Sequence, residues 1–129
     1  MPARPALAHA ESGRASWVGL VALVVAVGGL NQGWQWWTAR RLGGEVAAHA
    51  APGDIEMLAT ASCVYCAQAR SWFAAHKVAY AECDIERQAA CTAKFQALVS
   101  PGTPMLLVRG QRQVGFNPER VAQALRQDR

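Results

Sequence analysis

Hydrophobic and polar positions follow different patterns in the two halves of the chain. Residues 17–37 (WVGLVALVVAVGGLNQGWQWW) carry no charged side chain, and their most apolar part covers residues 18–30. Residues 54–129 instead alternate short apolar runs with segments whose apolar positions recur every three or four residues. This change of pattern predicts one apolar N-terminal segment followed by one folded domain.

The apolar segment has the length and the ends of a membrane-spanning helix. A spanning helix needs roughly 20 residues, which 17–37 supply. Trp17 at one end, and Trp34 with Trp36 and Trp37 at the other, stand where tryptophan collects at membrane interfaces. We therefore predict a transmembrane helix at 17–37 after a short polar segment at 1–16. The alternatives are a cleaved signal peptide and a buried core helix.

The flanking charges orient such a helix only weakly. Arg4 and Arg14 precede it, and Arg40 and Arg41 follow it, so the positive-inside rule is nearly balanced. The N-terminal amine and Glu45 favour slightly the orientation that places the domain outside the cytoplasm. The sequence predicts a single-pass membrane protein, with an extracytoplasmic domain preferred over a cytoplasmic one.

Residues 38–53 contain a glycine pair, a proline and much alanine, and are predicted to be a linker that is helical in its middle. The domain at 54–129 is predicted to begin with a strand-helix-strand unit, which implies a parallel strand pair and an α/β architecture. The predicted elements are a strand at 55–60, a helix at 66–76, a strand at 78–83, a helix at 85–99, strands at 104–108 and 113–116, and a helix from 118.

Two cysteines, Cys63 and Cys66, lie between the first strand and the first helix of the domain. At a helix N-terminus, unpaired amide groups and the helix dipole stabilise a thiolate on Cys63. Cys66, one turn later, is placed to attack a mixed disulfide formed on Cys63. A C-x-x-C pair before a helix in a strand-helix-strand unit is typical of thiol exchange.

A zinc site and an ordinary structural disulfide are the alternatives for this pair. A four-ligand zinc site usually needs a second closely spaced pair of Cys or His. The other cysteines, Cys83 and Cys91, are eight residues apart, and His9, His49 and His76 are scattered. The sequence therefore predicts no metal site.

Cys83 and Cys91 are a candidate structural disulfide. The alternative is two small free thiols that behave as apolar side chains. The distinction matters because a stable disulfide indicates an oxidising compartment.

The charge balance argues against nucleic-acid binding. There are 13 Lys and Arg against 9 Asp and Glu, and no run of like charge exceeds the Arg40-Arg41 pair. No nucleic-acid partner is predicted.

The domain resembles the glutaredoxins of the thioredoxin superfamily over residues 55–125. CVYC at 63–66 is similar to the family's C-P-Y-C motif, with Val64 in place of proline. The other similar segments are AECDI at 81–85, GTPMLLV at 102–108 and VGF at 114–116. The resemblance implies a three-layer thioredoxin-like fold with the order βαβ-α-ββα.

The resemblance also implies roles for individual residues. Cys63 would be the nucleophile and Cys66 the resolving thiol. The residues expected to bind substrate or glutathione are Tyr65, Thr103, a cis Pro104, Gly115, Phe116 and Asn117. Glutathione would be a co-substrate, with no bound cofactor. From the residues alone, an ordinary trans proline at the start of a strand stays open for Pro104.

Three departures weaken the expected glutathione contacts. Residues 60–62 lack the lysine that glutaredoxins commonly carry before the first cysteine. Asn117-Pro118 stand where the family has acidic residues, and Val114 replaces a glycine. Thiol exchange is therefore better supported than glutathione specificity.

The predicted function is a membrane-tethered thiol-disulfide oxidoreductase acting on disulfide-containing proteins or glutathione mixed disulfides. The alternatives are a glutaredoxin-like module that binds an iron–sulfur cluster or a metal, and a dedicated electron relay to one membrane partner.

Overall fold

The structure, a computed structural model, describes residues 12–127, with side chains from residue 16 onward. Residues 1–11 of the predicted polar segment lie outside this part. The chain divides into two compact units, Met1–Trp37 and Thr38–Arg129. The elements are α1 (Ser12–His49), β1 (Ile55–Ala59), α2 (Val64–His76), β2 (Ala81–Asp84), α3 (Ala89–Ala97), β3 (Met105–Val108), β4 (Gln111–Val114) and α4 (Pro118–Gln127).

The four strands form one mixed sheet in the order β2-β1-β3-β4. β1 and β2 are parallel, whereas β1 with β3 and β3 with β4 are antiparallel. A parallel pair needs a crossover connection, which α2 provides, while the short turn at 109–110 joins the antiparallel strands. The predicted α/β class and the parallel first pair are confirmed.

The two faces of the sheet are covered unequally. Ile55, Met57 and Ala59 of β1 face a large core that includes buried residues of α1, α2 and α4. The opposite face, which carries Glu56, is covered by α3, and the Lys94 ammonium lies 2.8 Å from the Glu56 carboxylate. Helices on both faces of the sheet give the three layers expected of a thioredoxin-like fold.

The C-terminal part of α1 belongs to the folded domain. Val46 is fully buried in the large core, and Leu42, Ala47 and Ala50 pack against it. The segment 38–53, predicted to be a linker, is therefore helical up to His49, and it contributes to the core. Leu42 and Val46 are four residues apart, as on one helix face, but Gly43 and Gly44 between them have the composition of a linker.

Arg109 joins three elements at one end of the domain. Its guanidinium donates to the carbonyl of Leu125 at 2.8 Å, to the carbonyl of His49 at 3.1 Å and to the carboxylate of Asp54 at 3.1 Å. The guanidinium therefore places a positive charge beside carbonyl groups in the last turns of α4 and α1, where the helix dipole favours a cation.

Asp54 should make the stability of the domain depend on acid pH. Its pKa lies below the ordinary value because the Ala51 amide donates to its carboxylate and Arg109 donates a second hydrogen bond. A carboxyl group whose pKa is lower in the folded than in the unfolded state stabilises the fold at pH values above its unfolded pKa. This contribution is lost as the pH falls through the folded pKa. We expect Asp54→Asn to be less stable than the parent at neutral pH, and the difference to shrink as the pH falls through the lowered folded pKa of Asp54. Urea unfolding at several pH values measures this, and a difference independent of pH would contradict it.

Gly43 should tolerate no side chain. A Cβ on Gly43 would overlap the imidazole of His76 in α2, whereas a Cβ on the neighbouring Gly44 would meet no atom within 4 Å. Alanine stabilises an exposed helix position by about 1 kcal/mol over glycine, so we expect Gly44→Ala to raise the free energy of unfolding by about that amount.

Gly43→Ala should lower the free energy of unfolding by about 1–3 kcal/mol relative to this matched control, because overpacking outweighs the gain in propensity. Urea denaturation of both variants makes the comparison. Equal stabilisation of both would show that this part of α1 does not pack on α2.

Candidate active site

Cys63 and Cys66 form a disulfide at the N-terminus of α2. Cys63 is the N-cap residue and Cys66 lies in the first turn, with 5.2 Å between their Cα atoms. Cys66 is fully buried, whereas Cys63 is half-buried. The Cys63 sulfur is thus the one that another molecule can reach.

The surroundings of the Cys63 sulfur favour a negative charge on it. The Cys66 amide donates to Cys63 Sγ at 3.1 Å, and the first turn of α2 contains no acidic residue. Amide donors at a helix N-terminus stabilise a thiolate, which is the reactive form of cysteine. The carbonyl oxygen of Thr103 lies 3.6 Å from the same sulfur, so the segment before β3 borders the disulfide.

Two loops meet beside the disulfide. The Thr103–Pro104 peptide bond is cis, as the resemblance implied. The Gly115 amide donates to the Pro104 carbonyl at 2.9 Å, and Gly115 has a φ of 75°, which glycine adopts without steric cost. This hydrogen bond holds the segment after β4 against the segment before β3.

The meeting loops and α2 enclose a groove of about 340 Å³. Its lining residues are Tyr65, Gln68, Pro101, Gly102, Thr103, Pro104, Val114, Gly115 and Phe116. The structure therefore brings together five of the six residues predicted to bind substrate. None of the nine lining residues carries a formal charge.

Asn117, the sixth predicted residue, does not line the groove. Its side-chain oxygen accepts a hydrogen bond from the Arg120 amide at 2.9 Å and so caps the N-terminus of α4. Gln68 does line the groove and was not predicted. Its position three residues after Tyr65 places both on one side of α2, a signal that the sequence contained.

Aromatic side chains fix the back of the groove to the core. The Phe116 ring centroid lies 5.5 Å from that of Trp72 and 5.2 Å from that of Phe73. Phe73 also stacks on Tyr80 at 4.5 Å, and burial raises the pKa of the Tyr80 hydroxyl. The position of Phe116 thus depends on the packing of α2.

Arg70 fixes the turn that leads to Cys63. Its Nε donates to the Glu82 carboxylate at 2.9 Å, and its Nη2 donates to the Thr60 carbonyl at 3.0 Å. The hydrogen bond to Glu82 raises the pKa of the Arg70 guanidinium, so it stays charged. Sequence reasoning did not find this contact because Arg70 and Glu82 are far apart in the chain.

A second disulfide joins Cys83 of β2 to Cys91 of α3, with 5.5 Å between the Cα atoms. Cys91 is the one buried residue of α3. The disulfide therefore attaches a helix with little buried surface to the edge of the sheet.

Removing the second disulfide should destabilise the domain measurably. Closing a loop of this length is worth about 2–3 kcal/mol through the entropy of the unfolded chain. We expect the double variant Cys83→Ala/Cys91→Ala to lose about that much free energy of unfolding in urea. The Cys63–Cys66 disulfide, kept oxidised in both proteins, makes the comparison direct. A loss below about 0.5 kcal/mol would show that the bond does not constrain the unfolded chain.

Within residues 12–127, no group of three or more His, Cys, Asp or Glu side chains is gathered so that it could hold a metal ion. In the same part of the chain, all four cysteines are engaged in disulfides.

Comparison with known proteins shows what the domain is similar to. Residues 55–113 match the family model of glutaredoxin. A mutant of the thioredoxin-like protein BC3987 is 28% identical, with a TM-score of 0.52, over 57% of this chain and 96% of that one. The buckwheat glutaredoxin–glutathione complex is 12% identical, with a TM-score of 0.47, over 72% of this chain and 92% of that one. No curated protein matches the sequence.

Proposed function

Because residues 55–113 match the glutaredoxin family model, we propose that this protein is a thiol-disulfide oxidoreductase that works through Cys63 and Cys66. One observation carries the proposal: a reachable Cys63 sulfur, with an amide donor at 3.1 Å, is paired with a fully buried Cys66. This arrangement separates an attacking sulfur from a resolving one.

The reaction proceeds in two exchanges. In the reduced protein, the Cys63 thiolate attacks one sulfur of a substrate disulfide, forms a mixed disulfide and releases the first substrate thiolate. The Cys66 thiolate then attacks Cys63 Sγ, releases the second substrate thiolate and leaves the Cys63–Cys66 disulfide. The substrate gains two electrons and the protein loses two. The Cys66 amide, which donates to Cys63 Sγ, stabilises the Cys63 thiolate as the attacking group.

A thiol is needed to return the protein to its reduced form. Glutathione is the proposed co-substrate, supported by the match of residues 55–113 to the glutaredoxin family model. Its proposed contacts are with the five predicted residues that line the groove. The proposed substrates are disulfide-containing proteins and glutathione mixed disulfides.

We also propose that residues 17–37 anchor the enzyme in a membrane. The helical stretch Ser16–His49 is long and apolar enough to cross one, and side chains 17–37 are exposed. The Cys83–Cys91 disulfide supports an extracytoplasmic domain, because such bonds persist in oxidising compartments. Protease with access to the outer face of an intact cytoplasmic membrane would then digest the domain. Digestion only after permeabilisation would place the domain in the cytoplasm.

The exchange activity is tested on the full-length protein in detergent micelles. The protein is equilibrated with mixtures of reduced and oxidised glutathione, and the thiols are alkylated and weighed by mass spectrometry. Reversible conversion of Cys63–Cys66 between dithiol and disulfide, through a Cys63–glutathione adduct, is expected. No exchange, together with iron or zinc retained on purification, would overturn the proposal in favour of a metal-binding module.

A further inference from the structure

The turn at 60–62 is held in place by one side chain. It connects the end of β1 to Cys63, the N-cap residue of α2. The second and third residues of the turn are exposed, so burial does not fix their conformation. Among the described residues, the one hydrogen bond that reaches this turn from another element is donated by the Arg70 guanidinium to the Thr60 carbonyl at 3.0 Å. The path of the chain into α2 therefore depends on Arg70.

Arg70 is itself held by the sheet. Its Nε lies 2.9 and 3.0 Å from the two carboxylate oxygens of Glu82, and its Nη2 donates to the same carboxylate. Glu82 belongs to β2 and is paired in register with Met57 of β1. Most exposed ion pairs contribute little stability, but a pair that uses two nitrogens of one planar guanidinium has a defined geometry. The Thr60 carbonyl is thus tied to the sheet through Arg70.

The conformation of Cys63 sets the surroundings of its sulfur. As the N-cap residue it has an extended backbone, with a φ of −78° and a ψ of 115°. In this conformation its Sγ accepts a hydrogen bond from the Cys66 amide at 3.1 Å, and such a donor stabilises a thiolate. The turn at 60–62 fixes the backbone on the N-terminal side of Cys63. A displaced turn would therefore weaken this hydrogen bond although both cysteines remain.

We propose that Arg70, held by Glu82, is a positioning residue that keeps the turn at 60–62 in the conformation in which Cys63 attacks. The proposal rests on the exchange function proposed above and adds the residues that set the reactivity of its attacking sulfur. Arg70 acts through position and not through its charge, because the carboxylate of Glu82 matches the charge of the guanidinium. The hydrogen bond to the Thr60 carbonyl is the contact that carries the effect toward the active site.

The pH dependence of Cys63 alkylation tests this role. The full-length protein in micelles is reduced, the reductant is removed, and the reaction of Cys63 with iodoacetamide is followed by peptide mass spectrometry. Arg70→Lys keeps the positive charge but lacks the planar fork that reaches Glu82 and Thr60 together. We expect the midpoint of its rate profile to lie about 0.5–1 pH unit above that of the parent, so that the rate well below the midpoint falls about three- to tenfold. The plateau at high pH should not change, since the thiolate stays accessible.

Two further variants separate position from charge. Glu82→Gln leaves the positive charge of Arg70 unmatched and offers it one acceptor oxygen instead of two. If position matters, the midpoint should rise because the guanidinium is held less firmly, whereas an effect of charge would lower the midpoint. Lys94→Gln is the matched control, since the Lys94 ammonium lies 2.8 Å from the Glu56 carboxylate and joins α3 to β1 without contact to the turn at 60–62. This variant should leave the midpoint unchanged.

The outcomes separate the two proposals. An unchanged midpoint in Arg70→Lys, in a protein that urea unfolding shows to be folded, would overturn the positioning role while leaving the exchange function in place. A lower midpoint in Glu82→Gln would also overturn it, in favour of an effect of charge. An equal rise in Lys94→Gln would attribute the effect to general loss of stability and overturn the role of Arg70. Failure of the parent protein to exchange with oxidised glutathione would overturn the exchange function itself.

Discussion

Replacing Cys63 by serine should reduce disulfide exchange to the rate of the buffer thiol alone. A serine hydroxyl is not ionised at neutral pH, and Cys66, which is fully buried, cannot take over the attack. Cys66→Ser should instead retain the first step and stop at the second. It should accumulate a mixed disulfide between Cys63 and the substrate, since no resolving thiol remains.

Mass spectrometry of non-reduced samples distinguishes these outcomes. Cys66→Ser mixed with oxidised glutathione should gain the mass of one glutathionyl group, and Cys63→Ser should gain none. Urea unfolding of both variants checks that they are folded. Adduct formation by Cys63→Ser would show that the assignment of attacking and resolving sulfurs is reversed.

The order of elements follows from sequence patterns because each pattern has a local cause. Apolar runs mark the buried strands, and the helix predicted from residue 118 begins at Pro118. The predicted strand at 78–83 begins only at Ala81, since the Val78 amide instead donates a hydrogen bond to the Phe73 carbonyl at the end of α2. The predicted helix at 85–99 begins at Ala89, because the Asp84 side chain accepts from the Glu86 and Arg87 amides and holds a turn there.

The contribution of α1 to the core could not be predicted from the sequence, for a different reason. A glycine in a helix usually costs stability, so a glycine pair predicts a linker. Here Gly43 allows α1 to approach His76 of α2 closely, a contact between residues 33 positions apart. Only the tertiary structure shows that the absence of a side chain is what this position requires.

The site shows the same division between local and tertiary information. The C-x-x-C spacing predicted the Cys63–Cys66 pair, and the resemblance supplied five residues of the groove. The Arg70 bonds to Thr60 and Glu82 could not be predicted, because they depend on how α2 lies against β2.

Phe73→Ala should cause the largest loss of stability of any single substitution in the core. Phe73 is fully buried and contacts the rings of Trp72, Tyr80 and Phe116 at centroid distances of 5.8, 4.5 and 5.2 Å. Truncating a buried phenylalanine costs about 3–5 kcal/mol, through lost burial and the cavity left behind. This loss is a large part of the free energy of unfolding of a typical domain, which is roughly 5–15 kcal/mol.

Phe95→Ala is the matched control, because Phe95 lies in α3 and is only half-buried. Urea unfolding should show a clearly smaller loss for this variant, since less apolar surface leaves the interior. Exchange activity, corrected for the folded fraction, should fall in Phe73→Ala and not in Phe95→Ala. The reason is that Phe116 rests on Phe73 at the back of the groove. Equal losses of stability in the two variants would place the main core elsewhere, and unaltered activity in a folded Phe73→Ala protein would show that Phe116 keeps its position without this support.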